Sequence, residues 1–212
     1  MTDDRARSKD IAALCARAPV IPVLVVSDAR TARPLARALV AGGLPVLEVT
    51  LRTPAALDAI AEITAVPGAA VGAGTLLSPG DGAAARAAGA VFGVSPGATD
   101  RLLDACEDAG LPLLPGAATA SEALALLERG YSVQKFFPAD AAGGTAALRA
   151  LAGPLPQIGW CPTGGITAGT ARDYLSLPNV VCVGGSWLAP AARVAAEDWA
   201  GIEALARAAA TL

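Results

Sequence analysis

One rhythm constrains this chain more than any single residue. Short apolar runs recur at intervals of roughly 20–25 residues, and alanine-rich helical stretches fill the gaps between them. The runs fall at 20–26, 46–50, 70–73, 91–94, 112–114, 133–137, 157–161 and 180–183. Most are apolar throughout rather than alternating, as strands buried on both faces should be. Helical segments are expected at 29–41, 54–65, 100–109 and 121–129. Thr53-Pro54 and Ser78-Pro79 read as N-caps followed by proline in the first turn. Gly42-Gly43, Gly89, Gly110 and Gly130 stand where left-handed C-cap residues belong. Eight strands alternating with helices predict a (β/α)8 TIM barrel spanning 1–212 as a single domain, with 1–18 as an extra N-terminal helix and 195–210 as a closing amphipathic helix. An open, doubly wound sheet is the alternative. Its dinucleotide fingerprint is missing, because Gly72-Ala73-Gly74 lacks the third glycine, and neither lysine follows a P-loop pattern.

Composition narrows the chemistry. The 212 residues include no histidine, so no Ser-His-Asp triad, imidazole base or His-ligated metal site can be built from this chain alone. A net charge of −3 argues against nucleic acid as partner. The mean hydropathy of +0.51 reflects alanine, about a quarter of the chain, rather than membrane-spanning bulk. The charge-free stretch 150–171 is broken by eight glycines and prolines, and the N-terminus is polar, so the expectation is a soluble, cytoplasmic protein that meets neither membrane nor secretion machinery. Cys15, Cys106, Cys161 and Cys182 share no CxxC spacing and read as buried, reduced thiols, with Cys161 and Cys182 on adjacent strands.

Lys135 is one of only two lysines. Alternation along its strand sends Val133, Lys135 and Phe137 to one face and Gln134 and Phe136 to the other. An inward face near a strand's C-terminal end is where barrels keep catalytic groups. Burying an ammonium costs several kcal/mol in order of magnitude unless it is neutralised or paired, and only a neutral amine attacks a carbonyl to form a Schiff base. A lysine snorkelling to solvent is the other reading, and this strand alone leaves both open. Glu48 shifts the balance: it shares its face with Val46 and Thr50, in mid-strand, where a carboxylate is disfavoured. Arg52 has the same parity at the strand exit. The trio reads as nucleophile, proton shuttle and anion clamp, against a purely architectural ion pair in the barrel mouth. Gly164-Gly165 after the seventh strand and Gly184-Gly185-Ser186 after the eighth stand where barrels commonly bind phosphate through backbone N–H groups.

The motifs EVTLRT at 48–53, GAGT at 72–75, SPG at 95–97, KFFPA at 135–139, PTGGI at 162–166 and GGSW at 184–187 occur in that order. In these the chain resembles the 2-keto-3-deoxy-6-phosphogluconate (KDPG) and 4-hydroxy-2-oxoglutarate (KHG) aldolases, over about residues 8–190. The resemblance implies a class I aldolase of the Entner–Doudoroff pathway, homotrimeric, acting on a small 2-keto acid phosphate with no metal or other cofactor. It further implies Lys135 as the Schiff-base lysine and Glu48 as the acid/base carboxylate. Arg52, Thr75 and Thr163 would hold the substrate, Pro96 and Phe137 would wall the pocket, and Gly164, Gly165, Gly185 and Ser186 would bind phosphate. Asp140, where many members carry glutamate, and Gln134 are mild departures. The phosphogalactonate epimer as substrate, a phosphate-ligand isomerase or synthase, and a non-catalytic binding protein are the competing readings.

Overall fold

The computed structural model describes residues 4–212, so the first three residues of the expected N-terminal extension lie outside it. Helix α1 (Asp4–Cys15) opens the chain, followed by β1 (Val20–Leu24), α2 (Ala32–Ala41), β2 (Val46–Thr50), α3 (Ala56–Thr64), β3 (Ala70–Gly74), α4 (Pro79–Ala87), β4 (Phe92–Val94) and α5 (Asp100–Asp108). The second half runs through β5 (Leu113–Leu114), β6 (Gly116–Ala117), α6 (Ala120–Glu128), β7 (Val133–Phe136), α7 (Gly144–Ala152), β8 (Gly159–Pro162), α8 (Ala171–Leu175), β9 (Val183–Gly185), α9 (Ala191–Ala195) and α10 (Trp199–Ala209).

The strands form a curled six-stranded parallel sheet, ordered β5-β4-β3-β2-β1-β9, and a three-stranded parallel sheet, β6-β7-β8. The strand expected at 112–114 runs Leu113–Leu114, and an unexpected short strand, β6, follows beyond Pro115, whose nitrogen has no hydrogen to donate. Its carbonyl still accepts the Lys135 N–H at 2.8 Å. On the other flank, bridges pair Trp160 with Val180 and Thr163 with Gly184. The last strand runs Val183–Gly185 rather than 180–183, with Val180 contributing only its bridge.

Strand parity sorts the side chains as the alternation predicts. Residues of one parity, among them Ile21, Val46, Ala70, Val133, Cys161 and Cys182, gather in one cluster that also takes in Ile11 and Cys15 of α1. Those of the other parity, such as Leu47, Val49, Phe136 and Trp160, pack with the helices. All four cysteines are free and buried. Cys182 touches the thiols of both Cys15 and Cys161, and these contacts, then burial, push its thiol well above the usual range.

Two helix starts behave differently from each other. Ser78 caps α4 in a capping box with Asp81, and Pro79 occupies the first turn, as expected. Thr53 does not cap α3: its hydroxyl donates to the Val26 carbonyl, and the helix begins after Ala55 without a side-chain cap. Of the paired glycines after α2, only Gly43 takes a positive φ (96°), while Gly42 stays right-handed at −76°.

A second capping box, Thr119 with Glu122, starts α6 directly after β6, the strand that pairs with β7. Glu122 accepts the Ala118 N–H, which first among its partners holds its carboxyl below the usual value. A lowered folded-state pKa means that the stabilisation is complete above the unfolded-state value near ~4.3 and fades as pH falls through the folded-state value. Glu122→Gln should therefore cost only a few tenths of a kcal/mol in order of magnitude at neutral pH, because the site is exposed and glutamine can still close the box, and almost nothing near pH ~3. Urea midpoints at the two pH values check this, and an equal loss at both would refute it.

Candidate active site

Outward side chains fix the strand on which Lys135 sits. Gln134 Nε2 donates to the carbonyls of Ala123 (3.0 Å) and Tyr131 (2.9 Å). Phe136 packs edge-on against Trp160, with ring centroids 5.7 Å apart. Between these two anchors Lys135 can only point inward, and it is 6% exposed. Opposite stands Glu48 of β2, 3% exposed, with its Oε1 3.6 Å from Lys135 Nζ. The Lys135 ammonium position also lies 5.2 Å from the centre of the Phe137 ring. Hydrogen-bonded neighbours of this pair are scarce. Thr50, on the same face, spends its hydroxyl on the Leu24 carbonyl at 3.0 Å.

Arg52 is not brought into the pair. It stands in the turn after β2, exposed, and makes no hydrogen bond or ion pair among the described residues. The strand ends at Thr50, so alternation no longer governs Arg52, although the residue remains at the same end of β2 as the carboxylate. Thr75 follows β3 directly and is half-buried, while Pro96 follows β4, its carbonyl lying where a Gly116 side chain would start. Phe137 is half-buried and closes one side of the lysine.

Thr163 is buried at the end of β8 and bridges to Gly184 of β9. Gly164 and Gly165 follow with φ of 103° and 79°, a left-handed pair that L side chains rarely adopt. The Ala139 N–H donates to the Thr163 carbonyl (2.8 Å) and the Asp140 N–H to the Gly164 carbonyl (3.0 Å), which ties this loop to the chain just after Phe137. Gly185 packs its Cα against the Trp187 ring, and Ser186 is exposed beside it. A cavity of about 690 Å³ opens at Ser186 and is lined also by Val23, Val25, Ser27, Pro190 and Glu197. Val23, Val25 and Ser27 carried no signal in the sequence, since an apolar strand followed by serine is common in any parallel sheet.

The arrangement offers a buried amine within reach of a buried carboxylate, with glycine-rich turns on two strands alongside. A model of the KDPG and KHG aldolase family matches residues 11–205. A 2-dehydro-3-deoxy-phosphogluconate aldolase from Pseudoalteromonas atlantica is 54% identical over 190 residues, covering 89% of this chain and 88% of the relative. The crystal structure of the 2-keto-3-deoxy-6-phosphogluconate aldolase of Zymomonas mobilis with 3-phosphoglycerate superposes with a TM-score of 0.92 at 48% identity, covering 96% of both chains. A KDPG aldolase from Legionella pneumophila, with pyruvate captured as a covalent carbinolamine intermediate, superposes at 0.91 and 48% identity, covering 94% of this chain and 97% of that one.

Proposed function

Because the chain belongs to the KDPG and KHG aldolase family, we propose that it is a class I aldolase that cleaves 2-dehydro-3-deoxy-6-phosphogluconate to pyruvate and D-glyceraldehyde 3-phosphate. The observation that carries this reading is the buried pair of Lys135 Nζ and Glu48 Oε1, 3.6 Å apart. Neutral Lys135 attacks the 2-keto carbon, giving a carbinolamine that loses water to form an iminium. Glu48 takes the proton from the 4-hydroxyl, and the bond between carbons 3 and 4 breaks. Its electrons flow into the iminium, leaving an enamine, and glyceraldehyde 3-phosphate departs. The Glu48 carboxyl returns its proton to the enamine carbon, and water hydrolyses the new iminium to pyruvate and free lysine.

The iminium supplies the electrophile, so the reaction written this way requires no metal. Arg52, at the rim, would clasp the substrate carboxylate through two parallel hydrogen bonds, with Thr75 and Thr163 holding neighbouring oxygens. Pro96 and Phe137 would wall the pyruvoyl half. The Gly164-Gly165 turn, Gly185 and Ser186 would take the phosphate on backbone N–H groups and one hydroxyl. The same machinery would cleave 4-hydroxy-2-oxoglutarate to pyruvate and glyoxylate, since that substrate carries the same 2-keto acid end. The setting of this reading is one domain over 1–212: a closed (β/α)8 barrel with α1 added beneath it, assembled as a homotrimer in the cytoplasm and serving the Entner–Doudoroff pathway. Within this reading, the closed barrel is supported by the joins at Pro115 and between β8 and β9, and the place of α1 by the cluster it shares with the strands.

Borohydride reduction in the presence of pyruvate tests the proposal. The expected result is a stable adduct, placed on Lys135 by peptide mass mapping, together with loss of activity. Active protein that yields no adduct would exclude a Schiff base. Comparing kcat/KM for the phosphogluconate, phosphogalactonate and oxoglutarate substrates ranks them, and the phosphogluconate is expected to lead.

A further inference from the structure

The Glu48 carboxylate has an unusual kind of support. Among the described residues no hydrogen bond holds it, and its one polar partner is Lys135 Nζ. Its direction must then come from the shape of the wall around it. Gly72 is its register partner on β3, and Gly74 lies opposite Thr50, two residues further along. A methyl group built on Gly72 would strike the Phe92 ring at 2.4 Å, which makes Gly72 a packing glycine. A methyl built on Gly74 would instead fall 1.9 Å from Glu48 Oε1, 2.6 Å from its Cδ and 2.7 Å from its Cγ. The carboxylate thus leans along its strand and occupies the place where a side chain at 74 would be. In that place Oε1 stands 3.6 Å from the amine.

We propose that Gly74 is a positioning residue: its bare Cα is a notch that aims the Glu48 carboxylate at the Lys135 centre. The inference rests on the aldolase reading above and goes beyond it, because it assigns the aim of the proton shuttle to a residue that has no side chain of its own. The atoms displaced by a methyl at 74 are the far end of a flexible side chain, so the fold can absorb the change while the carboxylate cannot keep its place. The three atoms nearest to a methyl at 74 all belong to Glu48, so the carboxylate takes the first and closest clash. Adduct formation and proton transfer should therefore separate.

The experiment is Gly74→Ala, alone and combined with Glu48→Ala, in the full-length enzyme. Pyruvate adducts on Lys135 are counted by borohydride trapping, and turnover is expressed per trapped site. For Gly74→Ala, trapping should remain within about twofold of the parent, and KM within about threefold. Turnover per trapped site should fall ~100-fold, the scale of a misplaced general acid–base group. Exchange of pyruvate methyl protons with deuterated water should fall with it. In the Glu48→Ala background the further change Gly74→Ala should cost nothing more, since the two act through one contact. Unchanged turnover per trapped site, or adduct and turnover falling in parallel, would overturn the inference. If Gly74→Ala alone fails to fold while the double variant folds, the notch serves stability rather than aim and the inference is overturned. If neither folds, Gly74 is a packing residue and the inference is wrong. Absence of an adduct in the parent enzyme would instead sink the aldolase reading itself.

Discussion

Lys135→Arg is expected to lower turnover by on the order of 10⁵-fold or more, because the covalent route to the products is closed. The argument is one of chemistry at a fixed place. Arginine keeps the positive charge opposite Glu48, so the carboxylate is not left buried and unpaired, an event that costs roughly 3–5 kcal/mol. The guanidinium stays protonated at any working pH and offers no lone pair to a carbonyl. Lys135→Met makes the complementary test: it fits the space but strands Glu48, which is 3% exposed. The methionine variant should therefore lose both activity and several degrees of melting temperature, whereas the arginine variant should lose activity with a smaller thermal shift. Pyruvate release and borohydride trapping read the activity, and calorimetry reads the stability. Substantial turnover in Lys135→Arg would show that the amine binds charge and does not react.

Much of this geometry is legible in the order of the residues alone. Residues 46–50 match β2 end to end, because an apolar β-branched run flanked by proline and a turn has little other option. Within it Glu48 is the conspicuous exception to apolar filling, and parity alone sends it to the same interior as Lys135. The inward placement of Val133 and Lys135 and the outward placement of Gln134 and Phe136 follow from the same period of two. What escapes the sequence depends on contacts distant along the chain. The run expected at 112–114 gives no sign that a further short strand, 116–117, follows beyond Pro115, whose carbonyl still accepts from the Lys135 backbone. Thr53 has the signature of a helix cap and instead ties the turn after β2 to the chain just beyond β1. Cys15 gives no hint that α1 will bring it against Cys182, because nothing local fixes where a terminal helix docks. Gly74 is the sharpest case. In the sequence it is one of the glycines of a familiar motif, and only the position of another strand's carboxylate shows what its missing side chain makes room for.

Glu48→Gln should separate the two halves of the reaction. Glutamine is nearly isosteric, so the space above Gly74 stays filled and the interior suffers no cavity. It cannot accept a proton from the 4-hydroxyl, and the neutral amide no longer offsets a charged Lys135. Turnover should fall by ~10²–10⁴-fold, the usual contribution of a positioned acid–base group, with KM changing far less, because the substitution leaves every residue outside the Lys135–Glu48 pair in place. The lysine still forms its iminium, so borohydride should trap pyruvate on Lys135 at close to the parent level, and methyl-proton exchange should collapse. A variant that lost trapping and turnover to the same degree would assign Glu48 to activating the lysine rather than shuttling the substrate proton. Loss of the adduct in Lys135→Arg but not in Glu48→Gln is the pattern that divides nucleophile from base, and a chain without histidine leaves this carboxylate, the lysine and water as the groups at this buried centre to move those protons.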